Sequence, residues 1–369
     1  MKKFYFFMMV ILVLVLCTSC MKNDGDSAKL NDIPEKLTGE QGENLLADAE
    51  IVIPRDIDLS KLDILTADWL RMDSDKAYEL FSGNQDLPLF QESTIQKGEE
   101  SVERNVYEIG ESGMLGVSQA QIFLWTDQYQ LLRRSLRSAF NAPVVNESLS
   151  KFSADGDLPF MTREKAAAET RELLAEIGLI TCDTYEWRLL DAQTLNEQEM
   201  IDSMNPEEPP PADWAQEDNF YYFIFSQEIE GLPLVNSIQL AEGSATTVPQ
   251  TTTECIYGKN GVVGVNLQNF YTKTGVKDAD VAIISLEQAL EQIKNKYNNL
   301  ISDEPYVIER ISLEYFPQYE DETQTGYILS PVWSFRVKCP DQITPDSDHL
   351  ILSQTDLVLV DAISGKIIV

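Results

Sequence analysis

Three short motifs with reactive side chains stand in order along the chain: Ser148-Leu149-Ser150-Lys151, Ser203-Met204-Asn205 and Lys273-Thr274-Gly275. A serine–lysine acyl-transfer enzyme carries S-x-x-K, S-x-N and K-T-G in this order. The setting does not suit that chemistry. The reactive serine has to open a buried helix, whereas the residues around Lys151 are polar and are followed by Asp155 and Gly156. Between the motifs the chain reads as strands and a Pro-rich loop. The single histidine, His349, sits in the polar stretch Pro345–Ile351, so any His-based triad or multi-His metal site has to use it. Asp346 and Asp348 lack the glycine and terminal glutamate of a calcium loop. The 61 acidic residues offer many carboxylate pairs for glycoside hydrolysis and no means of choosing one. No motif calls for a cofactor.

Charge excludes another class. Lys plus Arg number 28 against 61 Asp plus Glu, a net charge of −33. Such a surface repels nucleic acid and anionic lipid headgroups. The local exception is Arg133, Arg134 and Arg137, which share the polar side of an apolar-periodic segment, Gln128–Phe140, and are candidates for contact with an acidic partner; a solvated helix face is the plainer account.

The beginning of the chain gives an address. Lys2 and Lys3 precede an unbroken apolar run, Phe4–Leu16, shorter than the roughly 20 residues a spanning helix needs. Thr18 and Ser19 then lead into Cys20. The junction resembles the lipobox of bacterial lipoproteins, with Cys17 where leucine is usual. That resemblance implies cleavage after residue 19, acylation of Cys20, and an extracytoplasmic protein anchored to the cell membrane. The polar stretch 20–50 reads as a flexible tether. Cys182, Cys255 and Cys339 remain, an odd number without a C-x-x-C pair, and either one disulfide plus a thiol or three buried thiols fits.

The elements that follow read as α+β. Residues 51–145 form a smaller N-terminal α+β domain, with a helix from Ser74 to the stop at Gly83 and strands in Ser101–Gly110 and Gly113–Trp125. Residues 158–280 open with a helix capped by Thr162 and stopped near Gly178, with Ala166, Leu173, Leu174 and Ile177 on one face. Strands follow, with a hairpin at Asn260-Gly261. Residues 284–369 open with a capping box, Ser285 and Gln288, and an apolar face of Leu286, Ala289, Leu290, Ile293 and Tyr297. In the strand Gly326–Lys338, Tyr327, Leu329, Pro331, Trp333, Phe335 and Val337 share a face. Trp333 is expected in the core under the helix, and Pro331 is expected at an edge or a bulge.

The last region resembles the PepSY-like modules of YycH/YycI-type regulatory proteins. The matching residues are Ser285, Leu286, Ala289 and Leu290, then Tyr327, Leu329, Pro331 and Trp333, then Asp361, Ala362 and Gly365; Gly231, Pro233 and Leu234 resemble the hairpin of a preceding module. The resemblance covers roughly residues 161–369. It implies two repeated helix-plus-antiparallel-sheet units and a non-catalytic protein that acts on an envelope partner. YycH/YycI-type proteins carry a transmembrane helix, whereas this chain reads as lipid-anchored. The chain is therefore expected to bind or regulate an envelope protein or peptide. The alternative is an envelope hydrolase using carboxylates or the Ser148/Lys151 pair of the penicillin-binding type.

Overall fold

The computed structural model describes residues 33–55, 57–135, 149, 151–202, 212–236, 251–300, 302, 304–320, 326–340, 342–343, 351–352 and 355–368. In chain order the elements are β1 (Lys36–Gly42), β2 (Leu45–Val52), β3 (Leu62–Trp69), α1 (Ser74–Ser82), β4 (Leu89–Lys97), β5 (Glu100–Ile109), β6 (Gly113–Val117), β7 (Gln121–Trp125), α2 (Asp127–Ser135), α3 (Arg163–Glu176), β8 (Thr181–Leu190), α4 (Ala192–Asp202), β9 (Phe220–Ile229), β10 (Leu232–Pro233), β11 (Thr252–Gly258), β12 (Gly261–Gln268), β13 (Tyr271–Val281), α5 (Leu286–Asn298), β14 (Tyr306–Tyr319), β15 (Tyr327–Lys338), a small pair β16 (Gln342–Ile343) and β17 (Ile351–Leu352), and β18 (Thr355–Asp361). The protein is α+β and sheet-rich.

Two large sheets hold the chain together. A seven-stranded sheet runs β1-β2-β14-β15-β3-β13, with β18 also on β15, and a nine-stranded sheet runs β10-β9-β11-β12-β7-β6-β5-β4, with β8 on β9. Pairing is antiparallel except for β2 with β14, which is parallel. Helix α5 covers the seven-stranded sheet. Its Leu286, Ala289, Leu290, Ile293 and Tyr297 are buried with Leu329, Trp333, Phe335 and Val337 of β15 and Val358 and Val360 of β18. Ser285 caps α5 and Gln288 completes the box. Trp333 is fully buried, and its Nε1 donates to the Ile284 carbonyl at 3.1 Å. The nine-stranded sheet is covered on both faces. Helices α1 and α3 pack on Trp187, Tyr221, Phe223 and Val265, while α2 and α4, with Phe152 and Trp214, pack on Tyr222, Ile256 and Val263.

Three expectations need correcting. The boundaries 51–145, 158–280 and 284–369 do not separate the sheets: β1–β3 and β13 belong with the C-terminal strands, and β4–β7 extend the sheet of β8–β12. The physical reason is edge satisfaction. Each antiparallel sheet leaves unpaired N–H and C=O groups, and the N-terminal strands take them up. The tether 20–50 is also too long. Residues 36–42 and 45–50 lie in β1 and β2, where Leu45, Ala47 and Ala49 are buried in the cluster under α5.

Pro331 lies inside a central strand rather than at an edge. Its partner on β14 is Tyr315, whose carbonyl accepts from Val235 N, on the side away from β15. The pair is thus a non-hydrogen-bonded one, and the Pro331 nitrogen faces the other neighbour. There β3 ends its pairing at Leu329 and β18 begins at Val332, so no ladder donor is needed at 331.

The chain crosses between sheets where β12 gives way to β13. Gln227 of β9 clamps the crossing: its Nε2 donates to the Tyr271 carbonyl at 2.6 Å, and Tyr271 N donates to its Oε1 at 3.0 Å. A buried side-chain amide with both ends satisfied by backbone fixes the register of one sheet against the other.

Candidate functional site

Beside this crossing lies an open groove of about 740 Å³. Three segments build it. The β2–β3 connection contributes Ile53 and Lys61 and the start of β3 contributes Asp63; the start of β8 contributes Cys182, Asp183 and Thr184; the β9–β10 hairpin contributes Glu228, Glu230, Gly231 and Pro233. Tyr315 of β14 completes the lining. The hairpin turns in two left-handed residues, Glu230 (φ 50°) and Gly231 (φ 81°), which matches the twist of a tight hairpin. Beyond the turn, Val235 N donates to the Tyr315 carbonyl at 2.9 Å, so the G-x-P hairpin seen in the sequence ties one sheet to the other.

The groove carries both signs of charge. Asp183 pairs with Arg171 at 2.6 Å, Glu230 with Lys273 at 3.0 Å, and Asp58 with Lys61 at 3.4 Å. The Ser60 hydroxyl and backbone N–H both donate to Asp58 and hold its carboxyl below the usual range, with Lys61 adding to the effect. Tyr315 donates its hydroxyl to the Asp63 carbonyl at 3.1 Å, and burial pushes its ionisation up to about 12. Burial, reinforced by the Glu228 and Glu314 carboxylates, pushes the Cys182 thiol up to about 12. A thiol held neutral in this way is a poor nucleophile. Cys255 and Cys339 are likewise buried and free, and burial raises both.

Two residues beyond Thr184 on β8, Glu186 reaches across to Arg336 of β15 in a two-pronged ion pair. The two side chains are 24% and 22% exposed. Burial alone would raise the Glu186 carboxyl, but Arg336, with Arg310 and Arg188, overrides it and holds the group at about 2. Glu314, on the same face of β14, behaves in the opposite way. Burial raises it, and the Ser312 hydroxyl at 2.7 Å together with Arg310 and Arg336 offsets only part of that. A second buried acid, Glu254 of β11, lies under α2. Burial raises it too, against the Tyr222 hydroxyl at 2.6 Å and the Asn266 amide.

The residues singled out from sequence are not assembled here. Cys20, Arg137, Ser148, Ser203, Asn205, Asp346, Asp348 and His349 lie outside the described residues, as does the side chain of Arg134. Arg133 is half-buried, with its guanidinium 4.9 Å from the centre of the Trp125 ring. Lys151 is exposed next to Phe152, which packs in the cluster under α2 and α4 of the nine-stranded sheet. Lys273 and Thr274 are on β13 of the other sheet, where Thr274 bonds the Thr66 hydroxyl at 3.2 Å. Among the described residues no group of three or more His, Cys, Asp or Glu is placed to hold a metal ion, and no helix is long and apolar enough to cross a membrane. Sequence reading missed Glu186, Arg336, Glu254 and the groove. The one available signal was the placing of acids inside otherwise apolar strands, "TYEWRLL" and "TTECIYG".

No known family and no curated protein matches the sequence. Among solved structures, an uncharacterised protein from Eubacterium rectale is similar in fold. At 15% sequence identity it aligns with a TM-score of 0.70 over 92% of this chain and 94% of its own.

Proposed function

We propose that this chain is a non-catalytic binding protein, anchored outside the cytoplasm through acylated Cys20, that holds or regulates an envelope protein or peptide in the groove between its sheets. The groove is the observation that carries the reading. It is open, spans both sheets, mixes apolar lining with both signs of charge, and holds Asp183 and Glu230 in ion pairs with Arg171 and Lys273. Such a surface suits an extended segment of polypeptide, which brings its own mixture of apolar and polar groups. The leader Lys2–Cys20 supports the address, since an apolar run of this length followed by small residues and a cysteine fits processing and acylation.

The reading extends to the architecture. Helix α3 followed by β8, β9 and β11, and helix α5 followed by β14, β15 and β18, have one topology, a helix and three successively paired antiparallel strands. We take these as two PepSY-like units of the YycH/YycI type, elaborated by N-terminal strands.

The test is photocrosslinking in intact cells from a benzoylphenylalanine at Lys61 in the groove, with Lys259 in the exposed β11–β12 turn as control. A discrete protein or peptide adduct from position 61 and none from 259 is the expected result. No adduct at 61, or the same adducts from both positions, overturns the proposal.

A further inference from the structure

The outermost strand of the nine-stranded sheet, β4, is paired to β5 on one side and, among the described residues, to nothing on the other. Its side chains are exposed along most of its length. Leu89 and Phe90 at its start are 50% and 53% exposed. The hairpin to β5 turns through Gly98 and Glu99, between the paired Lys97 and Glu100. In a two-residue hairpin the closing pair exchanges both backbone bonds, and the pairs alternate from there. Lys97, Ile95 and Ser93 therefore direct their N–H and C=O groups to β5. Gln96, Thr94 and Glu92 direct theirs outward. An edge of this kind is a template for one more strand.

Chemistry on one face of that edge indicates the strand it fits. Gln96, Thr94 and Glu92 share a face with their register partners Ser101, Glu103 and Asn105 of β5. On that face, between the strands and the start of α1, is a cleft of about 540 Å³ lined by Asp75, Tyr78, Glu100, Glu103, Asn105 and Tyr107. Glu100 is shared with Arg71 at 2.8 Å, whereas Asp75 and Glu103 have no ion pair among the described residues. The Tyr78 and Tyr107 rings stand 4.6 Å apart. Carboxylates beside aromatic rings favour an ammonium or guanidinium group. The net charge of −33 draws a cationic segment in and opposes pairing of β4 with a second copy of the chain.

We propose that β4 accepts an extended cationic polypeptide as an added strand, with a lysine or arginine of that strand reaching over Thr94 into the cleft of Asp75 and Glu103. This site is separate from the inter-sheet groove, and crosslinking from Lys61 is independent of it.

The test uses the full chain in detergent and two labelled eight-residue probes, one alternating Lys and Val, the other alternating Glu and Val. Binding is followed by fluorescence anisotropy, and backbone pairing by amide hydrogen exchange. The Lys-Val peptide is expected to bind, to bind less at high salt, and to slow exchange at Thr94 and Gln96; the Glu-Val peptide is not. Thr94→Pro removes an outward N–H without taking a bond from β5, and should weaken binding by roughly tenfold or more. Glu103→Gln, an exposed change that leaves the strands intact, should weaken it several-fold and reduce the salt dependence. The proposal is overturned by failure of the Lys-Val peptide to bind, by equal binding of the two peptides, by binding without protection at Thr94 and Gln96, or by wild-type affinity in Glu103→Gln.

Discussion

Trp333→Ala would remove the largest fully buried side chain among the described residues from the junction of α5 and its sheet. The indole fills the space between the α5 face and β15, and its N–H holds the Ile284 carbonyl just before the Ser285 cap. Truncating a buried Trp in a core costs roughly 3–5 kcal/mol. The released Ile284 carbonyl adds about 1 kcal/mol if it stays dry. At about 2.1 cal/mol/K of unfolding entropy per residue, each kcal/mol moves the thermal midpoint of a chain this long by about 1.4 °C, so a drop of roughly 6–8 °C is expected. Trp333→Phe keeps most of the apolar area and loses the hydrogen bond, so it should cost only about 1–2 kcal/mol. Calorimetry or circular dichroism on the purified chain measures both. A Trp333→Ala protein that melts within about 2 °C of wild type would refute the core assignment and make Trp333 a ligand-docking aromatic instead.

Acid unfolding should report Glu186. Its folded pKa of about 2 lies below the ordinary 4.5, so its stabilisation is complete above about pH 4.5 and is lost as pH falls toward 2. The amount is about 3 kcal/mol, and in Glu186→Gln the stability lost between about pH 4.5 and 2, read from urea midpoints, should be smaller than in wild type by about that amount. Glu314 has the opposite sign. With its folded pKa raised, ionisation at neutral pH opposes folding, so Glu314→Gln should leave stability at pH 7 unchanged or higher, and a clear loss in urea titration would contradict the assignment. A labelled β-lactam should leave no covalent adduct on the protein by mass spectrometry, and an adduct abolished by Ser148→Ala would restore the serine–lysine reading.

What could be read from sequence followed from local signals. The α5 capping box, the α3 cap at Thr162 and the stop of α1 at Gly83 each depend on residues within a few positions of one another, and all are present; the hairpin expected at Asn260-Gly261 forms one residue earlier, turning through Lys259 and Asn260 with Gly261 opening β12. The strands β2 and β3 were hidden because their partners in the C-terminal half are remote. Leu45 pairs with Tyr306, and Ala67 with Tyr327. An edge strand such as β1 also has little apolar content to show. Helix α4 was missed because its apolar residues have no clear period, although Asp191, whose carboxylate accepts from Thr194 N at 2.9 Å, is an N-cap signal that could have found it. The groove was beyond reach for a similar reason. Its walls come from residues 52–65, 182–184 and 228–233, and only the strand order brings them together. The Glu186–Arg336 pair joins positions on two different sheets, and nothing local in either strand marks the partner.

The proposed function has this chain binding its partner from a lipid anchor at Cys20. Growth with a labelled fatty acid, followed by membrane fractionation of wild type and Cys20→Ala, tests it most directly. The wild-type chain is expected to carry the label and sediment with membranes, while the variant carries none and either becomes soluble or persists as an unprocessed precursor. Label on the Cys20→Ala chain, or identical processing and distribution of the two proteins, would contradict it.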